Sequence, residues 1–383
     1  MNFLPTFYIS HLKSQLKRTE FLIFWLLVTI LQQNRWVRLE ELASQFPQKI
    51  LFESRRKKLQ RFLDLPQLTI EKIWWPLFSQ WLTSNFPPHS MLYIAIDRTR
   101  WGAINLIFIS LIYDKRAIPI YFELLPNLGN TNSAKQVEVL SKVLPLLSNY
   151  KKVVLGDREF CAVDLARWLS SQEQTYFCLR LRKNEYIELA PNIWSNLKDL
   201  GVKPGIAIYL KGVKLTKTKG FAGANIAAKY RRKYNLKTAK EAWFILTNLA
   251  KLDLALSAYQ KRFGIEEMFR DYKSGGYNLE STGVSGDRLI VLIILITFAY
   301  TSSIMSGEKM KNKKVVKYAC RVKEKLRIYR RHSSFHIGIH GYAWIESLQL
   351  FAEQMAQLMS LSPHKRPYYQ RGRRAETLIK STL

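Results

Sequence analysis

The feature that most restricts the fold is the order of the apolar runs between residues 91 and 180. Residues 91–96 form a short apolar run that ends at Asp97. A longer run covers residues 104–113, a turn falls at Asp114, Lys115 and Arg116, and residues 118–124 are apolar again. Tight connections between strand-like runs predict antiparallel neighbours. Residues 132–149 have helical spacing, and 152–155 are a short β-rich run leading to Gly156-Asp157. Residues 161–170 are helical again, and 176–180 read as a fifth strand. A strand that returns through a helix lies parallel to a neighbour. This spacing permits Asp97 and Asp157 to share one end of adjacent strands, where ligands gather in open α/β sheets.

Three strands, helix, strand, helix, strand is the order of an RNase H-like fold. The expected class is therefore α/β, with an RNase H-like mixed-sheet core. After Arg182 the character changes: residues 205–214, 221–231 and 241–248 read as strands rich in Lys and Arg. They predict a β-strand insertion at about 183–250, followed by a helix over 258–274 that Gly275-Gly276 ends. Helical regions flank this core. Residues 1–84 read as helices, and within them 37–45 and 53–63 are short amphipathic segments separated by Phe46-Pro47-Gln48. Ser54 is a candidate N-cap for the second segment, and Leu59, Phe62 and Leu63 mark its apolar face. Arg55, Arg56, Lys57, Lys58 and Arg61 face away from it, as in a helix-turn-helix with a basic second helix. A solvated surface helix carries the same pattern.

Charge points to partners. The 383 residues carry a formal net charge of +31, and a surplus of that size favours a polyanion, nucleic acid first. Lys and Arg outnumber Asp and Glu by 12 to 6 in residues 1–90, 15 to 4 in 180–242, and 17 to 5 in 306–383. Separated basic surfaces suit a long duplex better than one lipid-facing patch. Two apolar stretches imitate membrane signals. Residues 21–31 follow Lys13, Lys17 and Arg18 but precede no small-residue cleavage site and are too short to span a bilayer. Residues 289–305 are interrupted by Thr297, Thr301, Ser302 and Ser303 and read as a buried core helix, with a membrane span as the competing reading. Cys161, Cys178 and Cys320 form no close pair, which gives no disulfide framework or zinc knuckle and fits a reducing cytoplasm.

The most informative segment runs from Tyr259 to Lys273. On one helix, Tyr259, Arg262, Glu266 and Lys273 fall within an arc of roughly 60°. Ile265, Met268, Phe269 and Tyr272 form the adjoining apolar stripe. An acid that can bind a metal, flanked by a phenol, a guanidinium and an ammonium, suits phosphate chemistry. A surface helix of mixed charge is the plainer explanation. Glu267 and Asp271 point about 100° and 140° away from Glu266. Glu159 lies beside Asp157 and is a further candidate for a metal shell. His332, His336 and His340 stand at helical spacing, but Gly338 and Gly341 argue against a continuous helix there, so solvated or DNA-facing histidines are expected.

The spacing Tyr-x2-Arg-x3-Glu-x6-Lys resembles the signature (YREK) of the IS-four family of insertion-sequence transposases. Asp97-Arg98-Thr99 resembles the family's first aspartate motif, and Gly156-Asp157-Arg158-Glu159-Phe160 its second. Residues 243–248, beginning with Trp243, resemble the tryptophan segment that precedes the signature. The likeness covers roughly residues 85–305. It implies a bacterial cut-and-paste DNA transposase whose Asp97, Asp157 and Glu266 hold two Mg²⁺ ions about 3.5–4 Å apart, with Mn²⁺ able to substitute. Tyr259, Arg262 and Lys273 become phosphate contacts, and Trp243 a stacking platform for a flipped base in a hairpin route. Arg55, Arg56, Lys57 and Lys58 are the expected contacts of an end-binding domain at 1–84. The catalytic core is then 85–305, followed by a basic helical region at 306–383 that includes Lys309, Lys311, Lys313, Lys314, Lys317, Arg330 and Arg331. Implied partners are double-stranded DNA, both terminal repeats and target, and a second copy in a synaptic homodimer. No membrane is implied, and the expected location is the nucleoid-associated cytoplasm. A catalytically silent DNA-binding relative and a nuclease on the same core that never joins strands are the alternatives.

Overall fold

The computed structural model describes residues 5–383 except 162, 217–219, 231, 233–240 and 325–330. Arg330 of the basic tail, and Arg231 at the end of an expected strand, lie outside the described residues. Two compact units divide the chain: Phe78–Phe269, and Met1–Leu77 with Arg270–Leu383.

Four helices open the chain: α1 (Thr6–Gln15), α2 (Arg18–Asn34), α3 (Leu39–Gln45) and α4 (Phe52–Leu63). The backbone N–H of Lys17 donates to the Glu20 carboxylate 2.9 Å away and fixes the start of α2. Arg35 ends it in the left-handed region. Leu59, Phe62 and Leu63 are the buried face of α4, as their i, i+3, i+4 spacing predicts. Helix α5 (Trp75–Asn85) leads into the sheet.

Strands β1 (Met91–Trp101), β2 (Ile104–Tyr113) and β3 (Arg116–Leu124) form an antiparallel meander. Helix α6 (Ser133–Val143), capped by the Asn132 side chain, crosses to β4 (Lys151–Gly156), which lies parallel to β1. Helix α7 (Val163–Ser171) then returns to β5 (Thr175–Arg180), parallel to β4. The order β3-β2-β1-β4-β5 is the RNase H-like arrangement. It is buried on both faces, as β4 shows from Lys152 to Gly156.

The insertion continues this same sheet. Strands β6 (Tyr186–Ala190), β7 (Ile193–Asn196), β8 (Ala207–Leu215), β9 (Phe221–Lys229) and β10 (Trp243–Thr247) follow β5 in the order β10-β9-β8-β6-β7. Every pairing in this half is antiparallel. The β6–β7 hairpin was not predicted. It lies at the sheet's edge with Leu189 and Ile193 exposed, so no continuous apolar run marks it. The helix expected over 258–274 begins earlier and is broken: α8 (Leu252–Lys261) and α9 (Phe263–Tyr272) meet at Arg262. Gly264 follows the break, where an added Cβ would lie 2.7 Å from the Arg116 carbonyl oxygen.

The remaining helices are α10 (Gly286–Asn312), α11 (Val316–Ala319), α12 (Ser334–Leu350), α13 (Ala352–Ser360) and α14 (Arg366–Lys380). Among the described residues, α10 is the one helix long and apolar enough to cross a membrane, and 89% of its apolar window is buried inside the protein. Tyr8, Phe24 and Trp74 pack edge-on against Phe298. The α10 hydroxyls bond back along the helix: Thr301 to the Thr297 carbonyl at 2.7 Å and Ser303 to that of Ala299 at 2.8 Å.

The glycines of α12 correct the expectation of a broken helix. A Cβ on Gly338 would sit 1.9 Å from the Ser303 carbonyl oxygen, and one on Gly307 would sit 1.9 Å from that of Ser334. They let two backbones touch, and α12 runs on without a break. The histidines form a group at its start: the His332 ring lies 5.6 Å from that of His340 and 6.5 Å from that of His336.

Candidate active site

Asp97 and Asp157 reach one place because of strand register. Ile96 of β1 pairs with Gly156 of β4 in parallel, and each aspartate is the next residue. Adjacent strands lie about 4.8 Å apart. Gly156 has no room for a side chain, since a Cβ would stand 2.8 Å from that of Phe160. Asp157 then caps a short turn, its Oδ1 accepting the Glu159 N–H at 2.8 Å. The Asp97 Oδ1 accepts the Arg98 N–H at 2.8 Å.

Glu266 enters from α9 through Arg262. The Arg262 guanidinium donates to Asp97 Oδ2 at 2.8 Å and to Glu266 Oε1. It is almost wholly buried, with a side-chain exposure of 8%. Burial pushes the Asp97 carboxyl up to about 7; Arg262 opposes this, and the charges of Asp157 and Glu266 add to it. One buried guanidinium thus joins two of the three carboxylates, and the third is near enough to be felt.

The aromatic residues gather around the same guanidinium. Trp243 lies edge-on to Tyr259 at 5.3 Å and 5.9 Å from Phe263. The Arg262 guanidinium is 5.8 Å from the Tyr259 ring and 5.5 Å from that of Phe263. The Tyr259 hydroxyl is buried without a hydrogen bond of good geometry. Burial raises its pKa, and the nearby Arg262 and Arg180 charges oppose the rise. Arg180 and Arg158 both pair with Glu241. Arg158 stands in the second aspartate motif, but Arg180 and Glu241 carried no sequence signal, because the pairs join three separate segments.

Arg98 and Glu159 are partners. Arg98 Nε lies 2.9 and 3.0 Å from the two Glu159 oxygens, and its other nitrogens reach Asn105 and Asn130 at 3.0 Å. Glu159 also accepts the Thr131 N–H at 3.0 Å. Its oxygens are engaged here by Arg98 and Thr131. Glu267 pairs with Arg116 at 3.2 Å.

The other sequence candidates belong to the helical unit. Lys273 lies past the end of α9, in the helical unit, and pairs with Glu280 at 2.7 Å. On α4, Arg56 pairs with Glu53 at 3.0 Å, Arg55 donates to the Phe46 carbonyl at 3.3 Å, and Lys58 to Gln48 at 2.9 Å. Lys57 is exposed.

Three carboxylates are hard oxygen donors of the kind Mg²⁺ takes, and the burial that raises Asp97 is a cost a cation would relieve. Among the described residues, no three His, Cys, Asp or Glu side chains stand close enough to grip one ion. Arg262 supplies the positive charge instead. The donor set fits a divalent cation in kind, while Arg262 holds Asp97 and Glu266 in this arrangement.

Fold and cluster together define an RNase H-like α/β protein with a carboxylate cluster drawn from within β1 (Asp97), just after β4 (Asp157) and from α9 (Glu266). The family model described as the transposase DDE domain matches residues 104–302, more than half of the chain, and the chain belongs to that family. Asp157 and Glu266 fall inside the match, and Asp97 lies just before it. Among solved structures, the chain is similar to the cryo-EM structure of a piggyBac transposase synaptic complex with hairpin DNA. The TM-score is 0.46 at 13% identity, covering 92% of this chain and 78% of that one. No curated protein sequence matches.

Proposed function

We propose that this transposase is of the IS-four type and cuts and rejoins DNA at the Asp97, Asp157 and Glu266 cluster. One observation carries the reading: parallel register places Asp97 beside Asp157, while Arg262 ties Asp97 to Glu266. Asp97, Asp157 and Glu266 are the residues that would hold divalent ions, Mg²⁺ with Mn²⁺ as a substitute. Bound there, such ions would activate the attacking oxygen and stabilise the leaving one. The chain's own residues do the positioning. Arg262 exchanges its carboxylate partners for phosphate oxygens, which its planar fork suits equally well. Trp243 offers an aromatic face for a displaced base, as a hairpin route requires, and Lys273 and Tyr259 add phosphate contacts. DNA of the terminal repeats and target is the substrate, in a synaptic homodimer, with Arg55, Arg56, Lys57 and Lys58 at the end-binding helix. The domain boundaries expected from the sequence, and a nucleoid-associated cytoplasmic location, belong to the same reading.

The test is incubation of the full chain with Mg²⁺ and DNA carrying the element ends. Cleavage by the parent, lost alike in Asp97→Ala, Asp157→Ala and Glu266→Ala, is expected. Full cleavage by any one variant removes that residue from the triad. A second reading, a DNA-binding relative that does not cut, draws on the ion pairs of Arg262 across the site. It predicts tight DNA binding with no cleavage by the parent at any Mg²⁺ or Mn²⁺ concentration.

A further inference from the structure

Strand β4 carries a lysine where the residues after it are apolar. Lys152 pairs with Leu92 of β1 on one side and with Thr175 of β5 on the other. It therefore stands inside the sheet, and its side chain must leave through a face. Only 4% of the residue is exposed. A lysine is almost never buried to this degree unless it is paired. The Lys152 backbone N–H donates to the Gln174 carbonyl at 2.9 Å, but among the described residues no hydrogen bond or ion pair engages the ammonium. Burial holds its pKa below the usual lysine value, and the charge of Glu173 opposes that fall. An unpaired charge in such a place is a cost to the fold, which a bound group of opposite sign would relieve.

The side chain opens on a cavity of about 310 Å³ between the turn that follows α6 and the end of α7. Leu144, Pro145 and Trp168 give it an apolar wall, and Glu173 brings a carboxylate to its exposed side. Glu173 is near enough to act on the Lys152 charge, yet the two do not close into an ion pair. A cation and an anion thus line one cavity, held apart, with an aromatic ring and two aliphatic side chains beside them. Phosphate suits this poorly, since a dianion would meet a carboxylate as well as an ammonium. A molecule with one charge of each sign and an apolar body satisfies all the groups at once. The volume is at the low end of the roughly 300–1,000 Å³ of small-molecule pockets, which admits a small metabolite. Lys152 lies roughly 16 Å along the chain direction of β4 from Asp157, so the cavity is separate from the carboxylate cluster.

We propose that this cavity binds a zwitterionic α-amino acid with an apolar side chain. Lys152 takes its carboxylate, Glu173 its ammonium, and Trp168 with Leu144 and Pro145 its side chain. The site goes beyond the DNA reading of the chain and does not rest on it.

The test is isothermal titration of the full chain with L-leucine and L-phenylalanine. Isocaproate and isoamylamine serve as probes that each keep one of leucine's two charges. Saturable binding with a Kd of about 1 mM or below is expected for at least one of the amino acids. Each single-charge probe is expected to bind about tenfold more weakly, because it leaves one charged group without a partner. Lys152→Met is expected to lose about tenfold or more in amino-acid affinity while its melting temperature holds or rises, since an apolar stem replaces a buried charge. A lysine that only supported the fold would lower that temperature when removed. Glu173→Gln changes an exposed position. It is expected to keep the parent's melting temperature and to erase the preference for leucine over isocaproate. No saturable binding of either amino acid to the parent overturns the proposal, and so does undiminished binding by Lys152→Met. Isocaproate held by the parent as tightly as leucine overturns it too, because the cavity then recognises a carboxylate alone.

Discussion

The Arg262 guanidinium sits 2.8 Å from Asp97 in a nearly buried position, and its other arm reaches Glu266. A divalent cation and this guanidinium compete for the same oxygens. Arg262→Ala is therefore expected to bind Mn²⁺ more tightly than the parent by titration calorimetry. The metal-free variant is expected to lose about 3 kcal/mol of stability, because a buried carboxylate loses its partner. Weaker Mn²⁺ binding would show that Arg262 helps to build the ion site. Asp97 carries the pH dependence. Its carboxyl is raised from 3.8 to about 7 in the folded chain, chiefly by burial. The folded state thus holds the proton more tightly than the unfolded one. The stability this contributes is complete below pH 3.8 and disappears as pH rises through about 7. In EDTA, the melting temperature of the parent should fall relative to Asp97→Asn between pH 4 and 8. The opposite trend would mean that the Arg262 pair outweighs burial.

At the scale of elements, β1 and the turn after β4 are locked together by Arg98 and Glu159, whose side chains are only 11% and 13% exposed. Glu159→Ala leaves a buried guanidinium unpaired and is expected to cost about 3 kcal/mol in chemical denaturation. A loss below about 1 kcal/mol would reduce the pair to a surface contact. Helices α10 and α12 meet backbone to backbone, so Gly338→Ala must push a carbonyl aside, at about 1–3 kcal/mol by the same measurement. The five-strand core was legible in the sequence because its strands are buried on both faces and read as unbroken apolar runs. Asp97 and Asp157 were legible as the residues that follow two of those apolar runs, although β1 itself continues past Asp97 to Trp101. The β6–β7 hairpin was not, since an exposed edge leaves no such run. The break at Arg262 was hidden too: its neighbour Gly264 answers to the Arg116 carbonyl, far away in sequence, and helical spacing carries no record of that contact. The Glu241 pairs with Arg158 and Arg180 join three segments, and no local pattern encodes them.

At the scale of the whole chain, the helical unit is assembled from both ends of the sequence. Its N-terminal helices pack against α10 as well as against one another. The Tyr8 hydroxyl bonds Thr301 at 3.0 Å, and the rings of Phe24 and Trp74 lie 4.9 and 5.5 Å from that of Phe298. At the rim, Asp64 pairs with Arg288. Residues 291–296 and 298–300 of α10 are buried apolar side chains, and Phe298 is the one these rings meet. Without α10 the aromatics of these helices lose the partner that covers them, and the remaining burial has less to set against conformational entropy. Residues 1–84 expressed alone are therefore expected to show no cooperative thermal transition and weak amide protection. Residues 270–383 added in trans should restore both, because they carry α10 back to the same aromatic cluster. A cooperative transition in the isolated 1–84 fragment would show instead that these helices close a core of their own, and that α10 only covers it.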